Sequence, residues 1–260
     1  MASPLLQHAL TSSSIFTPET LMSAVRAERG IPQQPLPKIC VLDFDGDLTD
    51  SLVSRGLATR HPAWACFHTE MFAADIDGTQ CGLIPRTIGG PYAVLVAEQL
   101  SVSGTRVVIG LTSAGRVAPS LPVPSLVVAT SAVRDEGTSY HYLPAAPLVA
   151  APSDVAIHLH AELSSVGLPV ESGCVWTTDA PYRETREQFE EHIRSGVLAV
   201  EMQAASLFAF AHARQMLVGI VAHVTNAINL TNDNFDKGPA DLSLRLFRAA
   251  CRAGLRIAAG

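Results

Sequence analysis

Short apolar runs alternate with longer amphipathic stretches along most of the chain. Residues 39–43 form an apolar run that ends in turn residues, a pattern typical of a buried strand. Further strands are predicted at 80–84, 106–112, 125–130, 169–177, 196–200 and 217–225. Apolar residues spaced three and four apart predict helices at 89–100, 153–165, 184–194, 203–215 and 239–253. Strands that alternate with helices in this way predict an α/β layered domain with buried strands.

The first 37 residues differ from the rest and are interpreted as a lead-in. Thr17 precedes Pro18, which fits an N-cap followed by proline at the first helical position. A helix is therefore predicted up to about residue 28, and Gly30 with the prolines that follow it ends that helix. Since no comparable linker occurs later, residues 38–260 are predicted to form one domain.

Composition excludes several classes of protein. Hydrophobic residues make up 48% of the chain and charged residues 16%, which excludes a disordered chain. The net charge is −6, so neither nucleic acid nor an anionic membrane is an expected partner. No apolar run reaches about 18 residues, and the N-terminus lacks a basic start followed by an apolar core. We therefore expect a cytoplasmic protein without a membrane span. The five cysteines form no CxxC pair, and no metal site is expected.

One acidic motif follows the first predicted strand. Asp43, Asp45 and Asp47 are spaced by Phe44 and Gly46, which resembles the signature of haloacid dehalogenase-like phosphatases. In that family the first aspartate is a nucleophile and the second a general acid. Asp47, however, stands where that signature has threonine or valine. The alternative is an acidic turn at the end of a strand, because aspartate and glycine suit turn geometry.

A second, longer set of motifs resembles the purine nucleoside and uridine phosphorylase family. Its central part is a strand that ends in Glu201-Met202 at the start of an alanine-rich helix, preceded by the segment 177–184. Upstream lie the segments 88–91, 112–115 and 134–142, and downstream lies 219–226, in the order that the family has. The resemblance covers about residues 38–252.

This resemblance implies a fold, a reaction and a set of site residues. The fold is a three-layer α/β/α sandwich with a central mixed sheet. The reaction is cleavage of the N-glycosidic bond of a nucleoside, with phosphate as co-substrate, no metal or organic cofactor, and a homo-oligomeric enzyme. The implied catalytic residues are Glu201 and Asn226, and the implied substrate-binding residues are Gly89, Thr112, Ser113, Tyr182, Arg183, Met202 and Gln203.

Within that set, the resemblance assigns parts of the substrate to particular residues. Met202 packs against the ribose and Gln203 binds its hydroxyl groups, while Ser113 contacts phosphate. Tyr182, Arg183 and Asn226 face the base. Backbone amides of the small-residue turn predicted at 112–115 offer further hydrogen bonds to an anion.

The chain departs from the family mainly where phosphate binds. The family loop Pro-Gly-Asp-Pro is replaced by residues 44–48, with Asp50 near the position of its arginine. A second family arginine falls at Gly110. The phosphate residues expected instead are Gly46, Arg86 and Ser113. Arginine pairs strongly with phosphate, so the loss of both leaves a second reaction open, in which water replaces phosphate.

Two neutral residues also bear on activity. Gln203 stands in place of the ribose-binding glutamate, and Asn226 in place of the aspartate of purine-cleaving members. Pyrimidine-type members have asparagine there, so the identity of the base stays open. A third hypothesis is therefore a degenerate member that binds a nucleoside-like ligand without turnover.

Overall fold

The computed structural model describes residues 4–7, 9–152, 154–227, 235–239 and 241–259, and all strands in these residues belong to one sheet. The strands are β1 (Ile39–Asp43), β2 (Thr59–Arg60), β3 (Phe72–Ile76), β4 (Thr79–Pro85), β5 (Val107–Arg116), β6 (Ser125–Asp135), β7 (Leu148–Ala150), β8 (Val170–Thr178), β9 (Ala199–Glu201) and β10 (Leu217–Ala227). The helices are α1 (Pro18–Arg29), α2 (Asp47–Ser54), α3 (Gly90–Val102), α4 (Val155–Leu163), α5 (Arg186–Arg194), α6 (Ala204–Arg214) and α7 (Leu242–Ala259), with short 3₁₀ turns at Pro4–Leu6, Thr138–His141 and Pro181–Arg183.

Five of the strands form a closed ring within the sheet. β10 pairs with β6, β6 with β8, β8 with β9, β9 with β5, and β5 again with β10. The pairs β5–β10, β6–β8 and β8–β9 are parallel, whereas β10–β6 and β5–β9 are antiparallel. On the other side of β5 the sheet continues through β1, β4, β3 and β2. The predicted mixed sheet is confirmed, and its partial closure is a feature that strand prediction did not reveal.

Helices cover both faces of this sheet, which confirms the layered α/β/α arrangement. Buried residues of α3 and α6, among them Leu100 and Phe208, pack in one apolar cluster with alternate residues of the central strands. Buried residues of α2, α4 and α7, among them Leu159 and Phe247, pack in a second cluster on the other face. The alternation follows from the two-residue period of a strand, which directs successive side chains to opposite faces.

Two local predictions near the site differ from the structure, and the first of them was wrong. The segment 112–115 was predicted as a turn but belongs to β5, where it pairs with β10 and β9. Its backbone amides are therefore largely used in the sheet. The acidic segment after β1, for which a turn was one alternative, forms a bend at 44–46, and Asp47–Ser54 then form α2. Asp43 accepts hydrogen bonds from Gly46 N (3.2 Å) and Thr49 N (2.8 Å), which stabilises the start of this helix.

The predicted N-terminal helix is confirmed as α1. Thr17 Oγ1 accepts from Thr20 N, and Gly30 ends the helix in the left-handed conformation. Met22 and Val25 are buried in the same cluster as α3. The separation of residues 1–37 from one domain at 38–260 stays a prediction. Ser153, the predicted cap of α4, lies outside the described residues. Among the helices of the described chain, none has the length and apolarity to span a bilayer.

Candidate functional site

Two of the predicted site segments meet because of the way β9 lies against β5. Gly115 of β5 is opposite Val200 of β9 in an antiparallel pair. The chain that follows β9 therefore runs back along β5, and Gln203 reaches Thr112. Thr112 Oγ1 lies 3.4 Å from Gln203 Oε1, and both residues are buried. Thr112, in the segment expected to hold phosphate, thus lies against Gln203, in the segment expected to hold ribose.

Glu201 is fully engaged by its surroundings. Its Oε2 accepts from Gln203 N (2.6 Å) and Ala204 N (2.9 Å) at the start of α6, and its Oε1 accepts from Thr177 Oγ1. Burial raises the pKa of this carboxyl to about 7, although these hydrogen bonds oppose the rise. Glu201 therefore stabilises the first turn of α6, and its part in catalysis stays a prediction.

Ser113 donates both of its hydrogen bonds to one carboxylate. Its backbone N lies 3.2 Å from Asp45 Oδ2, and its Oγ lies 3.0 Å from Asp45 Oδ1. These two donors are the ones expected to hold phosphate. An anion that binds Ser113 must therefore displace Asp45, whereas a water molecule bound there would have a base beside it.

A cavity of about 70 Å³ lies beside Ser113. Thr112 and Ser113 line it, but Tyr182, Glu201 and Gln203 are not among its lining residues. The other polar lining residues are Asp43, Asp45, Asp47, His223, Thr225, Lys237 and Ser243. Ligand pockets usually measure about 300–1,000 Å³. The cavity is thus large enough for waters or a small oxyanion, and too small for a nucleoside.

Arg86 and Gly46, both predicted to bind phosphate, lie against each other. A Cβ at Gly46 would lie 2.8 Å from Arg86 Cγ, so the arginine side chain covers this glycine. The guanidinium forms an ion pair with Asp50, the residue near the position of the first missing arginine. Arg86 does not line the cavity beside Ser113. Its assignment to phosphate stays a prediction that requires the ion pair with Asp50 to open.

Gly110, the position of the second missing arginine, has no room for a side chain. A Cβ there would lie 2.6 Å from Ile220 Cδ1 and 2.7 Å from Phe44 Cε2. Both neighbours are fully buried. A side chain at 110, where the resemblance places the second family arginine, would therefore require Phe44 or Ile220 to move.

The remaining predicted site residues differ in how far they are exposed to solvent. Asn226 is opposite Gly115 in the β5–β10 pair, and it is half-buried like Met202. Gly89 precedes α3 with φ of 89°. Tyr182 and Arg183 lie in an exposed 3₁₀ turn, and Tyr182 is fully exposed. The structure thus joins Thr112 to Gln203 directly and leaves Tyr182 apart from the cavity. Contact of Tyr182 and Arg183 with the base stays a prediction.

Sequence reasoning missed two residues that line the cavity. His223 lies opposite Ser113 in the β5–β10 register, and Lys237 contacts Asp47 from the segment 235–239. His223 could have been found from the two-residue period of a strand. Within β10 it lies on the same face as Val221 and Thr225, which also line the cavity. Lys237 carried no such signal, because it lies outside the predicted strands and helices. Among the described residues, no three histidine, cysteine or acidic side chains are grouped to hold a metal ion.

The sequence of the chain was compared with those of known proteins. A family model described as the phosphorylase superfamily matches residues 38–254. The chain is 30% identical to a guanosine phosphorylase of Halorubrum lacusprofundi over 155 residues, which cover 58% of this chain and 63% of that protein. It is 26% identical to a uridine phosphorylase of Escherichia coli K12 over 165 residues, or 58% and 65% of the two chains.

A third relative is matched over more of its length. The uridine phosphorylase of Thermococcus kodakarensis is 27% identical over 193 residues, which cover 68% of this chain and 69% of that protein. The first two matches span somewhat less than two thirds of those relatives. The resemblance drawn from the motifs is nevertheless confirmed, because the family model covers most of the chain. This chain belongs to the phosphorylase superfamily.

Proposed function

We propose that the chain cleaves the N-glycosidic bond of a nucleoside, with inorganic phosphate as the nucleophile. A phosphate oxygen attacks the anomeric carbon, the bond from that carbon to the base nitrogen breaks, and its electron pair leaves with the base. The products are the free base and ribose 1-phosphate. Positive charge develops on the sugar in this reaction, and the enzyme must stabilise it as glycosidases do.

The observation that carries this proposal is the contact between Thr112 and Gln203. It joins the segment expected to hold phosphate to the segment expected to hold ribose, and it does so in a member of the phosphorylase superfamily. A nucleophile at Ser113 and a sugar at Met202 and Gln203 would then be neighbours. Holding two reactants in such a geometry contributes much of the rate in bimolecular group transfer. The relatives named guanosine and uridine phosphorylase support both purine and pyrimidine nucleosides as substrates.

The cavity beside Ser113 supports a second candidate reaction, hydrolysis of the nucleoside. Asp45 accepts both hydrogen bonds of Ser113, and the cavity also faces Asp43 and Asp47. Carboxylates oppose the approach of a phosphate dianion but can accept the proton of an attacking water. In that reaction the water oxygen bonds to the anomeric carbon and free ribose replaces ribose 1-phosphate.

Incubation with a panel of nucleosides, with and without phosphate, tests the proposal. Chromatography measures release of uracil, guanine or adenine, and we expect release that depends on phosphate. Release that is equally fast without phosphate, together with free ribose, would support hydrolysis instead. Nucleoside binding measured by calorimetry, with no base released on long incubation, would support the degenerate member and contradict the proposal.

A further inference from the structure

Lys237 and His223 stand close to Ser113, in a chain that lacks both of the family's phosphate arginines. We infer that Ser113, Lys237 and His223 form the phosphate-binding subsite, with Lys237 and His223 in place of the two arginines. The inference rests on the proposed function, in which phosphate is the nucleophile. It assigns the anion to the cavity beside Ser113 and not to Arg86.

Lys237 supplies the positive charge of this subsite. The segment that carries it is held against the end of β10, because Asp236 N donates to Thr225 O at 2.7 Å. From there the ammonium group contacts Asp47 at the start of α2. That hydrogen bond raises the pKa of Lys237, and Asp45 and Asp43 act in the same direction. Lys237 is thus a fixed cation beside the cavity at neutral pH.

His223 supplies an unused hydrogen-bonding group. It is opposite Ser113 in the parallel pair of β5 and β10, and it lines the same cavity. Its Nε2 is buried and has no hydrogen-bond partner among the described residues. Buried polar atoms are almost always paired, so an unpaired one at a cavity indicates a partner that a ligand or a water supplies.

His223 is expected to meet the anion as a neutral hydrogen-bond donor. Burial, and then the nearby Lys237, lower the pKa of its imidazole to about 4, while Asp236 opposes this shift. Asp43, Asp45 and Asp47 are the other titratable groups that line the cavity. The ring is therefore neutral at pH 7, and in the tautomer with the proton on Nε2 it donates a hydrogen bond.

Size and geometry both indicate a small oxyanion. Ser113 N and Oγ already converge on two oxygens of one carboxylate, that of Asp45, at 3.2 and 3.0 Å. Phosphate presents pairs of oxygens with similar spacing to such donors. Phosphate therefore replaces the Asp45 carboxylate on Ser113 and gains Lys237 and His223 as additional partners.

Calorimetric binding of inorganic phosphate, without nucleoside, tests this inference on the full chain. Lys237→Ala and His223→Phe are each expected to weaken phosphate binding about tenfold or more. Lys38→Ala is the matched control, since Lys38 is the other lysine of the chain and is exposed outside the cavity. His223→Gln restores a donor near the position of Nε2 and is expected to bind within about threefold of the parent. Circular dichroism melting identifies any variant that fails to fold.

The outcomes separate this inference from the proposed function. Phosphate affinity that is unchanged in Lys237→Ala and His223→Phe would overturn the inference, and so would a parent chain that binds no phosphate at millimolar concentration. Equal weakening in His223→Phe and His223→Gln would overturn the role of Nε2. If the variants lose phosphate while the parent releases no base from any nucleoside, the subsite stands and the proposed function fails. If the variants lose phosphate while the parent releases base as fast without phosphate, the subsite stands as an anion site and hydrolysis replaces phosphorolysis.

Discussion

Asp45 and Ser113 form a two-point contact between the loop after β1 and the strand β5. Both hydrogen-bond donors of Ser113, the amide and the hydroxyl, are directed to the carboxylate oxygens of Asp45. The carboxylate is exposed and comes from a short loop, so it is free to leave when a stronger acceptor arrives. We expect this contact to affect the choice of nucleophile, because a carboxylate opposes a phosphate anion and can accept a proton from water.

Asp45→Ala is therefore predicted to improve phosphorolysis. Removing the competing negative charge should lower the KM for phosphate by about threefold to tenfold, by the usual strength of charge-assisted hydrogen bonds. Initial rates at varied phosphate concentration provide the measurement. Glu191→Ala is a control with the same change of charge, since Glu191 is exposed, pairs with Arg194 and does not line the cavity. A fall in base release of about a hundredfold or more in Asp45→Ala would instead identify this carboxylate as the base of a hydrolase.

Thr112→Val is predicted to weaken nucleoside binding without affecting phosphate. Valine has the shape of threonine but cannot hydrogen-bond to Gln203, so the amide of Gln203 loses a positioning contact. We expect a rise of about threefold to tenfold in the KM for the nucleoside, as for loss of one hydrogen bond. Thr112→Ser keeps the hydroxyl and should behave like the parent. A rise in the KM for phosphate instead would show that Thr112 belongs to the anion subsite.

The fold was largely predictable, because it depends on the alternation of apolar strands with amphipathic helices. The runs at 39–43 and 217–225 both became central strands, β1 and β10. The segment 112–115 was wrongly predicted as a turn, since small residues are common in turns and also where a strand must bend between two partners. Closure of the ring through β5 and β9 depends on tertiary pairing, which leaves no local pattern.

Residues of the candidate site could be predicted where they belong to sequence motifs. Contacts between segments far apart in the sequence could not. Ser113 and Gln203 each belong to a recognisable motif, and the register of β9 against β5 brings the second segment back to the first. Lys237 lies ten residues after β10, and no motif of the sequence predicted that it lines the cavity. Asp45 belonged to a visible acidic motif, but its contact with Ser113 depends on the packing of two separate elements.

Gly110→Ala is predicted to destabilise the fold, because its new Cβ would overlap Phe44 and Ile220. Overpacking of this kind costs about 1–3 kcal/mol in the free energy of unfolding. Gly137→Ala is the control, since the nearest atom to a Cβ there is 3.7 Å away. Urea denaturation measures both variants. Adding Phe44→Leu should recover part of the loss, and strictly additive effects would contradict the proposed overlap.

Glu201 is predicted to make stability depend on pH between about 4.5 and 7. Its pKa is raised by burial from 4.5 to about 7 in the folded chain, so the folded state holds the proton more tightly than the unfolded state. The stability that this provides is complete below about pH 4.5 and is lost as the pH rises through 7. In Glu201→Gln the titration is absent.

Denaturation of both chains at several pH values measures this effect. The free energy of unfolding of the parent, minus that of Glu201→Gln, should fall by about 1–3 kcal/mol from pH 5 to pH 8. A difference that stays constant, or that grows with pH, would show that the Glu201 carboxylate is stabilised in its ionised form by the amides of α6.

Phosphorus NMR of the protein with a nucleoside and inorganic phosphate tests the central claim most directly. The account predicts a new phosphate-ester signal, that of ribose 1-phosphate, which grows in step with release of the free base and is slowed in Lys237→Ala. Base release with no new phosphorus signal would contradict phosphorolysis and show that water takes the place of phosphate beside Ser113.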